Sequence, residues 1–294
     1  MSTHKDDTTV FTTPDKFPHG QRFAPLANET VNGTGPARIA LVTGAGQGIG
    51  RAIALRLAHD GFGAAVCDVP TNRPRLQEVA QEIKTRTGRR CLEVYADVSK
   101  EEEVREMVDR VVDELGGLDV MVANAGIAIL EPFVESKTST WEKTFAINVH
   151  GVMHCYKYAA RAMIRQGRGG RLIGACSIAG KRGDPNSAAY CASKFAVRGL
   201  SQSAAIELAP YGINVNCYAP GAIHTEFLDK VDEKYTKEEG KERGSYIKKR
   251  AEAIPLGRVG KAEDVSGVVS WLAGPDSKFV TGQSITVDGG TLFD

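Results

Sequence analysis

The chain has 294 residues, 42% hydrophobic and 25% charged, enough apolar material for one large or two small packed domains. A net charge of +1 gives no electrostatic reason to expect a nucleic-acid partner, and no apolar run approaches the roughly 18 residues of a membrane span. The opening MSTHKDDTTVF carries acids and no apolar segment, so it does not read as a secretory signal, and the sequons at Asn28 and Asn32 are expected to stay unglycosylated.

Residues 1–36 are polar and rich in Thr, Asp, Pro and Gly, the composition of a flexible arm. Strands and helices are expected to alternate from residue 37 to 294, as one domain. An apolar run at 38–43 ends in glycines and predicts a buried strand, followed by a helix over 49–59. A strand at 64–68 and a helix at 76–87 come next, then a strand at 92–96. Lys100-Glu101-Glu102-Glu103 opens the following helix with acids that suit its dipole. A strand is predicted at 118–122, then one long helix over 140–166, with Trp141, Phe145, Val149, Val152 and Tyr156 three or four residues apart. A strand at 171–175, a helix at 188–208 and a strand at 213–217 follow. Residues 222–255 carry mixed charge, notably from Lys234 to Arg250. A helix at 263–272 and a strand at 284–287 close the chain. This alternation predicts an α/β fold: a doubly wound, Rossmann-type parallel sheet with helices on both faces.

The six cysteines form no C-x-x-C pair and read as buried thiols in a reducing, cytoplasmic setting. The histidines are scattered. His150 and His154 share a helix face, but no third ligand stands near, so no metal site is expected.

Doubly wound sheets bind ligands at the carboxyl ends of their strands, and the unusual residues fall there. Residues 43–50 read TGAGQGIG. The strict G-x-G-x-x-G spacing is not met; G-x-x-x-G-x-G is, at Gly44, Gly48 and Gly50. With 32 glycines in 294 residues that spacing arises by chance roughly 0.4 times. A strand before it, a helix after it and Asp68 at the end of the next strand give it meaning: backbone amides for a pyrophosphate and a carboxylate for a ribose 2′-hydroxyl. Asp68 would repel a 2′-phosphate, and Gln47 adds no positive charge, so NAD is favoured over NADP; Arg73 and Arg75 lie close enough to soften the preference. Tyr190 and Lys194 are four apart on a helix, a pairing expected by chance roughly 0.5 times. Reduction of a carbonyl leaves an alkoxide that needs a proton. Bringing a phenol near neutrality takes about 4 kcal/mol, which one ammonium about 4 Å away supplies at an effective dielectric near 20.

Taken together, TGAGQGIG, Asp97-Val98, Asn124-Ala125-Gly126, Asn148, Ser177, Tyr190-Cys191-Ala192-Ser193-Lys194 and Pro220 to Thr225 resemble the short-chain dehydrogenase/reductases over about residues 37–294. Ser177 stands 13 residues before Tyr190, the family's usual interval. The resemblance implies Tyr190 as general acid/base, Lys194 as the group that lowers its pKa and holds the nicotinamide ribose, Ser177 as donor to the substrate oxygen, and Asn148 as holder of a relay water. It also implies Asp97 and Val98 at the adenine, and Asn124 and Gly126 along the cofactor groove beside Gly44, Gln47, Gly48, Ile49 and Asp68. Ile223 and Thr225 would meet the nicotinamide amide or the phosphates. Several stretches, among them Ala175-Cys176-Ser177, look most like acetoin/diacetyl reductases (butanediol dehydrogenases). The chain departs from that pattern at its N-terminal arm and at Lys181-Arg182. A homotetramer and a substrate lid at 222–255, with Phe227, Leu228 or Tyr246 on its inner face, are further implications. The reaction expected is ketone to secondary alcohol with NAD(H). Terpenoid or polyol alcohols, a silent dinucleotide-binding sensor, and a nucleotide-sugar epimerase or dehydratase are the competing readings.

Overall fold

A computed structural model describes residues 38–293; the arm predicted over 1–36 lies outside them. The seven predicted strands form as β1 (Ile39–Thr43), β2 (Gly63–Asp68), β3 (Cys91–Tyr95), β4 (Val120–Ala123), β5 (Gly170–Ala175), β6 (Ile213–Pro220) and β9 (Ser284–Val287). They make one sheet in the order β3-β2-β1-β4-β5-β6-β9, every neighbouring pair parallel. Successive side chains of a strand point to opposite faces. Ala40, Val42, Ala64 and Val66 therefore pack on one side with Ile53, Leu57 and Val269, while Ile39, Leu41, Ala65 and Cys67 pack on the other with Val108, Val152 and Val197. The first side is covered by α1 (Gly48–His59), α2 (Arg73–Thr87) and α9 (Ala262–Ala273), and the second by α3 (Glu101–Leu115), α5 (Gly151–Gln166) and α6 (Ala188–Leu208). Both faces being buried explains why the strands read as near-continuous apolar runs.

The order reverses between β1 and β4, so a crevice opens at their carboxyl ends. Two predicted boundaries move for local reasons. α2 starts three residues early, because Pro74 in its first turn needs no hydrogen-bond acceptor. β6 runs on to Pro220, where it still pairs with β9.

The predicted unbroken helix over 140–166 is a correction. It is α4 (Thr138–Phe145), a π-turn (Ala146–His150) and then α5. The π-turn holds one extra residue, and because Phe145, Val149 and Val152 still follow at steps of four and three across it, local spacing does not reveal it. The region 222–255 folds as β7 (Ile223–His224), α7 (Glu226–Glu239) and α8 (Ser245–Glu252); β7 pairs with β8 (Gly260–Lys261). His150 and His154 have ring centroids 6.4 Å apart, and the His154 Nδ1 lies 3.1 Å from the Val98 carbonyl. Among the described residues no three metal-ligating groups cluster, and no helix is long and apolar enough to cross a membrane. All six cysteines are free and buried.

Candidate active site

The turn after β1 needs its glycines for distinct reasons. Gly44 and Gly48 hold φ of 64° and 55°, the left-handed region that favours glycine. A Cβ on Gly50 would stand 2.2 Å from the Gly44 carbonyl oxygen, so α1 can start this close to β1 only with glycine there. Gln47 is the N-cap residue but its side chain makes no cap bond; its amide oxygen accepts from Arg75 instead. The first amides of α1 are thereby left for an anion. Asp68 is held firmly at the end of β2. Its Oδ2 accepts from the Gly46 amide at 2.9 Å and from Asn72 Nδ2 at 3.0 Å, and its Oδ1 from the Val69 amide at 2.8 Å.

These groups open onto a groove of about 380 Å³ at the carboxyl ends of the strands. Gly44, Gln47, Gly48 and Ile49 line its turn side, and Asp68, Asp97 and Val98 its far wall. Asn124 and Gly126 line the side after β4, and Thr225 comes in from the start of α7. The Ile223 side chain is not there: it is buried in the core beside α9, while Thr225, Glu226 and Phe227 reach the groove. A larger cavity of about 480 Å³, beside Arg38 and Trp271, contains none of the predicted site residues.

The crevice is braced by residues that sequence reasoning passed over. Thr43 Oγ1 accepts from the amides of Asn124 and Ala125, both at 3.1 Å. Asn124 Nδ2 donates to the Thr43 and Gly44 carbonyls at 2.8 and 3.2 Å, and its Oδ1 accepts from the Tyr218 hydroxyl at 2.7 Å. Asn124 thus ties β1, β4 and β6 together as well as lining the groove. No local pattern marks Tyr218, which is 94 residues away in sequence.

Beyond Gly126 stand the four residues expected to do the chemistry. A Cβ on Gly126 would lie 3.1 Å from Asn148 Oδ1 and 3.5 Å from Lys194 Nζ, so this glycine lets the groove meet both side chains. Asn148 sits fully buried in the π-turn. Its Oδ1 accepts from the Ile127 amide at 2.8 Å, and its Nδ2 donates to the Ile127 carbonyl at 2.9 Å and to Ser193 Oγ at 3.0 Å. Ser193 Oγ in turn donates to the Tyr190 carbonyl at 2.7 Å. Ser193 lay in plain view between Tyr190 and Lys194 and could have been found. Lys194 Nζ donates to the Ala175 carbonyl at 2.8 Å and lies 5.5 Å from the Tyr190 ring centroid. Ser177 follows β5; its Oγ accepts from the Ala179 amide at 3.1 Å and reaches the Pro220 carbonyl at 3.5 Å, and its hydroxyl also hydrogen-bonds Tyr190.

In the chain by itself, burial rather than the lysine sets the direction of the Tyr190 shift. Burial pushes the Tyr190 phenol up to about 12, against a smaller downward pull from Ser177. Burial also pushes Lys194 down to about 8. Desolvation penalises the charged form of each group. Tyr190 keeps part of its surface accessible, yet the dense packing around it dominates.

A phenol, a hydroxyl and an amine set beside a groove at the carboxyl ends of a parallel sheet suit carbonyl–alcohol chemistry. A family model described as "Enoyl-(Acyl carrier protein) reductase" matches residues 44–291. A short-chain dehydrogenase/reductase of Armillaria gallica is 47% identical over 257 residues, covering 87% of this chain and 97% of that one. An L-2,3-butanediol dehydrogenase of Corynebacterium glutamicum is 40% identical over 258 residues, covering 88% of this chain and 100% of the relative. The crystal structure of an acetoin dehydrogenase from Salmonella typhimurium superposes with a TM-score of 0.75 at 34% identity, covering 87% of this chain and 96% of that one. The chain belongs to the short-chain dehydrogenase/reductases, and it is an oxidoreductase acting on CH–OH donors.

Proposed function

We propose that the chain interconverts a ketone and a secondary alcohol with NAD(H), Tyr190 serving as the acid/base. The observation that carries this reading is the meeting of Tyr190, Ser177 and Lys194 at the carboxyl end of β5, one glycine away from the groove. The cofactor fits the residues present: left-handed glycines, free amides at the start of α1 and a fixed carboxylate at Asp68. When bound, the nicotinamide supplies or accepts the hydride. Ser177 donates to the substrate oxygen, and Tyr190 gives that oxygen its proton during reduction. Lys194, bracketed with Asn148 around Gly126, replaces the proton through the polar line behind it. Gly44, Gln47, Gly48 and Ile49 approach the phosphates, Asp97 and Val98 the adenine, Asn124 and Gly126 the middle of the cofactor, and Ile223, through its backbone, and Thr225 the nicotinamide end.

NAD is the preferred form. Asp68 offers its carboxylate at the proposed ribose position, and the two nearby arginines already have partners within the chain. The Arg73 guanidinium stacks 4.1 Å from the Tyr95 ring centroid, and Arg75 pairs with Glu226 at 2.9 Å and with Gln47. Neither is presented to a 2′-phosphate. Diacetyl, acetoin and butanediol are the first substrates to test, on the similarity to the butanediol dehydrogenase; terpenoid and polyol alcohols are the second group. Residues 222–255 act as the lid, and four copies assemble. The six unbridged thiols suit a reducing cytoplasm.

The test is NADH oxidation over a ketone panel by the wild-type chain and by Tyr190→Phe. The variant should bind NADH normally and lose about a thousandfold in turnover. Equal turnover would overturn the role of Tyr190. A wild-type chain that binds NADH but turns over no ketone would favour the sensor.

A further inference from the structure

We propose that Arg182 and Arg250 form an oxyanion-holding subsite for the end of the substrate remote from the reacting carbon, so that the preferred ketone carries a carboxylate or phosphate. The proposal rests on the preceding reading for the reacting end alone. A cavity of about 250 Å³ is lined by Arg182, Ala222, Arg250, Ala253, Ile254 and Thr291. Its lining thus draws on two arginines, one threonine and three apolar residues, and on no acidic residue; Arg250 also borders a neighbouring cavity beside Glu239. Neither arginine has an ion-pair partner among the described residues. Asp184, the nearest acid in the loop of Arg182, is not on this wall. Two unneutralised guanidiniums in one cavity repel each other unless an anion lies between them, and their planar forks suit carboxylate and phosphate oxygens.

The cavity adjoins the chemistry through two short stretches of chain. Ser177 Oγ reaches the Pro220 carbonyl at 3.5 Å, and Ala222 is two residues further on, roughly 7 Å of extended chain. Ser177 also caps the turn Ile178–Gly180, and the Arg182 amide donates to the Ile178 carbonyl at 3.0 Å. Arg182 is therefore carried on the same turn as the hydroxyl that meets the substrate oxygen. Arg250 and Ile254 come from α8 and its end, so the arginine pair spans the loop after β5 and the lid. A four-carbon diketone held at Ser177 and Tyr190 has no group for this cavity; an oxo-acid has one.

The experiment uses a series of oxo-acids with carbonyl and carboxylate separated by one to four methylenes, the matching primary amides, and a ketone phosphate ester. Binding to the NADH-loaded chain is read by calorimetry, and turnover by NADH oxidation. The best acid or phosphate should bind about tenfold more tightly than its neutral partner, and whichever of the two anions binds more tightly names the headgroup. Arg182→Ala and Arg250→Ala should each bring the acid-to-amide ratio toward one. Arg182→Lys, which keeps the charge without the fork, should retain part of it. Acid and amide binding equally across the series, or a ratio untouched in both alanine variants, would overturn the subsite. Selective anion binding without turnover would leave the subsite standing and count against the proposed seating of the reacting carbonyl at Ser177 and Tyr190.

Discussion

At the residue scale, Tyr190 and Lys194 show that burial and pairing act against each other. Lys194, with a folded value of about 8 against its ordinary 10.5, is held in its charged form at a cost to stability at and below pH 8. The unfolded chain binds more protons between those values, so stability rises with pH from about 8 to 10.5 on this account. Tyr190 has the opposite sign and a higher window: its folded value of about 12 exceeds the ordinary 10, so stability falls as pH rises from 10 to 12. Comparing denaturant unfolding of the wild type and Lys194→Met at pH 8 and pH 10 isolates the lysine. The variant should be the more stable at pH 8, by an amount of order 1–3 kcal/mol that shrinks at pH 10. An advantage that does not change with pH would contradict the burial account. Asp68 makes the companion case. Its offset from the glycine turn was legible, whereas its holder Asn72 was not, because the Asn72 bond depends on how α2 starts. Asp68→Ser should raise the KM for NADH about tenfold and narrow the gap to NADPH; a lower NADPH than NADH KM in the wild type would reverse the assignment.

At the element scale, the π-turn and the lid mark where periodicity stopped being informative. Apolar steps of three and four continued through Asn148, so the sequence read as one helix; the side chain's bonds to Ile127 and Ser193 are long-range facts that local spacing does not contain. The charged stretch 234–250 read as a solvated face, and its organiser is one buried acid. Asp232, 1% exposed, accepts from the amides of Gly244 at 2.7 Å, Tyr246 at 3.1 Å and Ile247 at 3.2 Å. It therefore neutralises the start of α8 from within α7. Tyr235 stacks on Tyr246 at 4.8 Å beside it, so the two helices are joined as one unit. Of the three residues expected on the inner face, Leu228 is buried, Phe227 lines the cofactor groove, and Tyr246 faces Tyr235. Asp232→Asn halves the acceptor capacity and Asp232→Ala removes it. The alanine variant should loosen α8 by about 1–3 kcal/mol, speed limited proteolysis between 226 and 252, and raise the KM of the ketone more than that of NADH. Unchanged cleavage would show that the acid does not hold the lid.

At the scale of the whole molecule, the seven strands of the main sheet and the crevice could be read in advance because both follow from chain-local rules, whereas the short β7–β8 pair could not. Short apolar runs ending in turns give buried strands, and right-handed crossovers put the helices on both faces. The bracing of the crevice by Thr43, Asn124 and Tyr218 could not, since it joins residues from β1, β4 and β6. Assembly belongs to the same scale. Among the large apolar side chains that the described residues leave uncovered are Phe195 and Ile206 on α6 and, across the sheet, Trp271 on α9 with Phe279 beyond it. One such patch would suit a dimer. Two on different faces suit an assembly with two kinds of two-fold contact, which closes at four copies. Sedimentation equilibrium should therefore give a single species of four-chain mass at micromolar concentration. Ile206→Glu and Phe279→Glu should each stop assembly at the dimer, and the double substitution should stop it at the monomer. Because α6 and α9 lie on opposite sides of the sheet, each single variant should lose only its own contact. A wild-type monomer, or a single substitution that takes the tetramer directly to monomers, would rule out this arrangement.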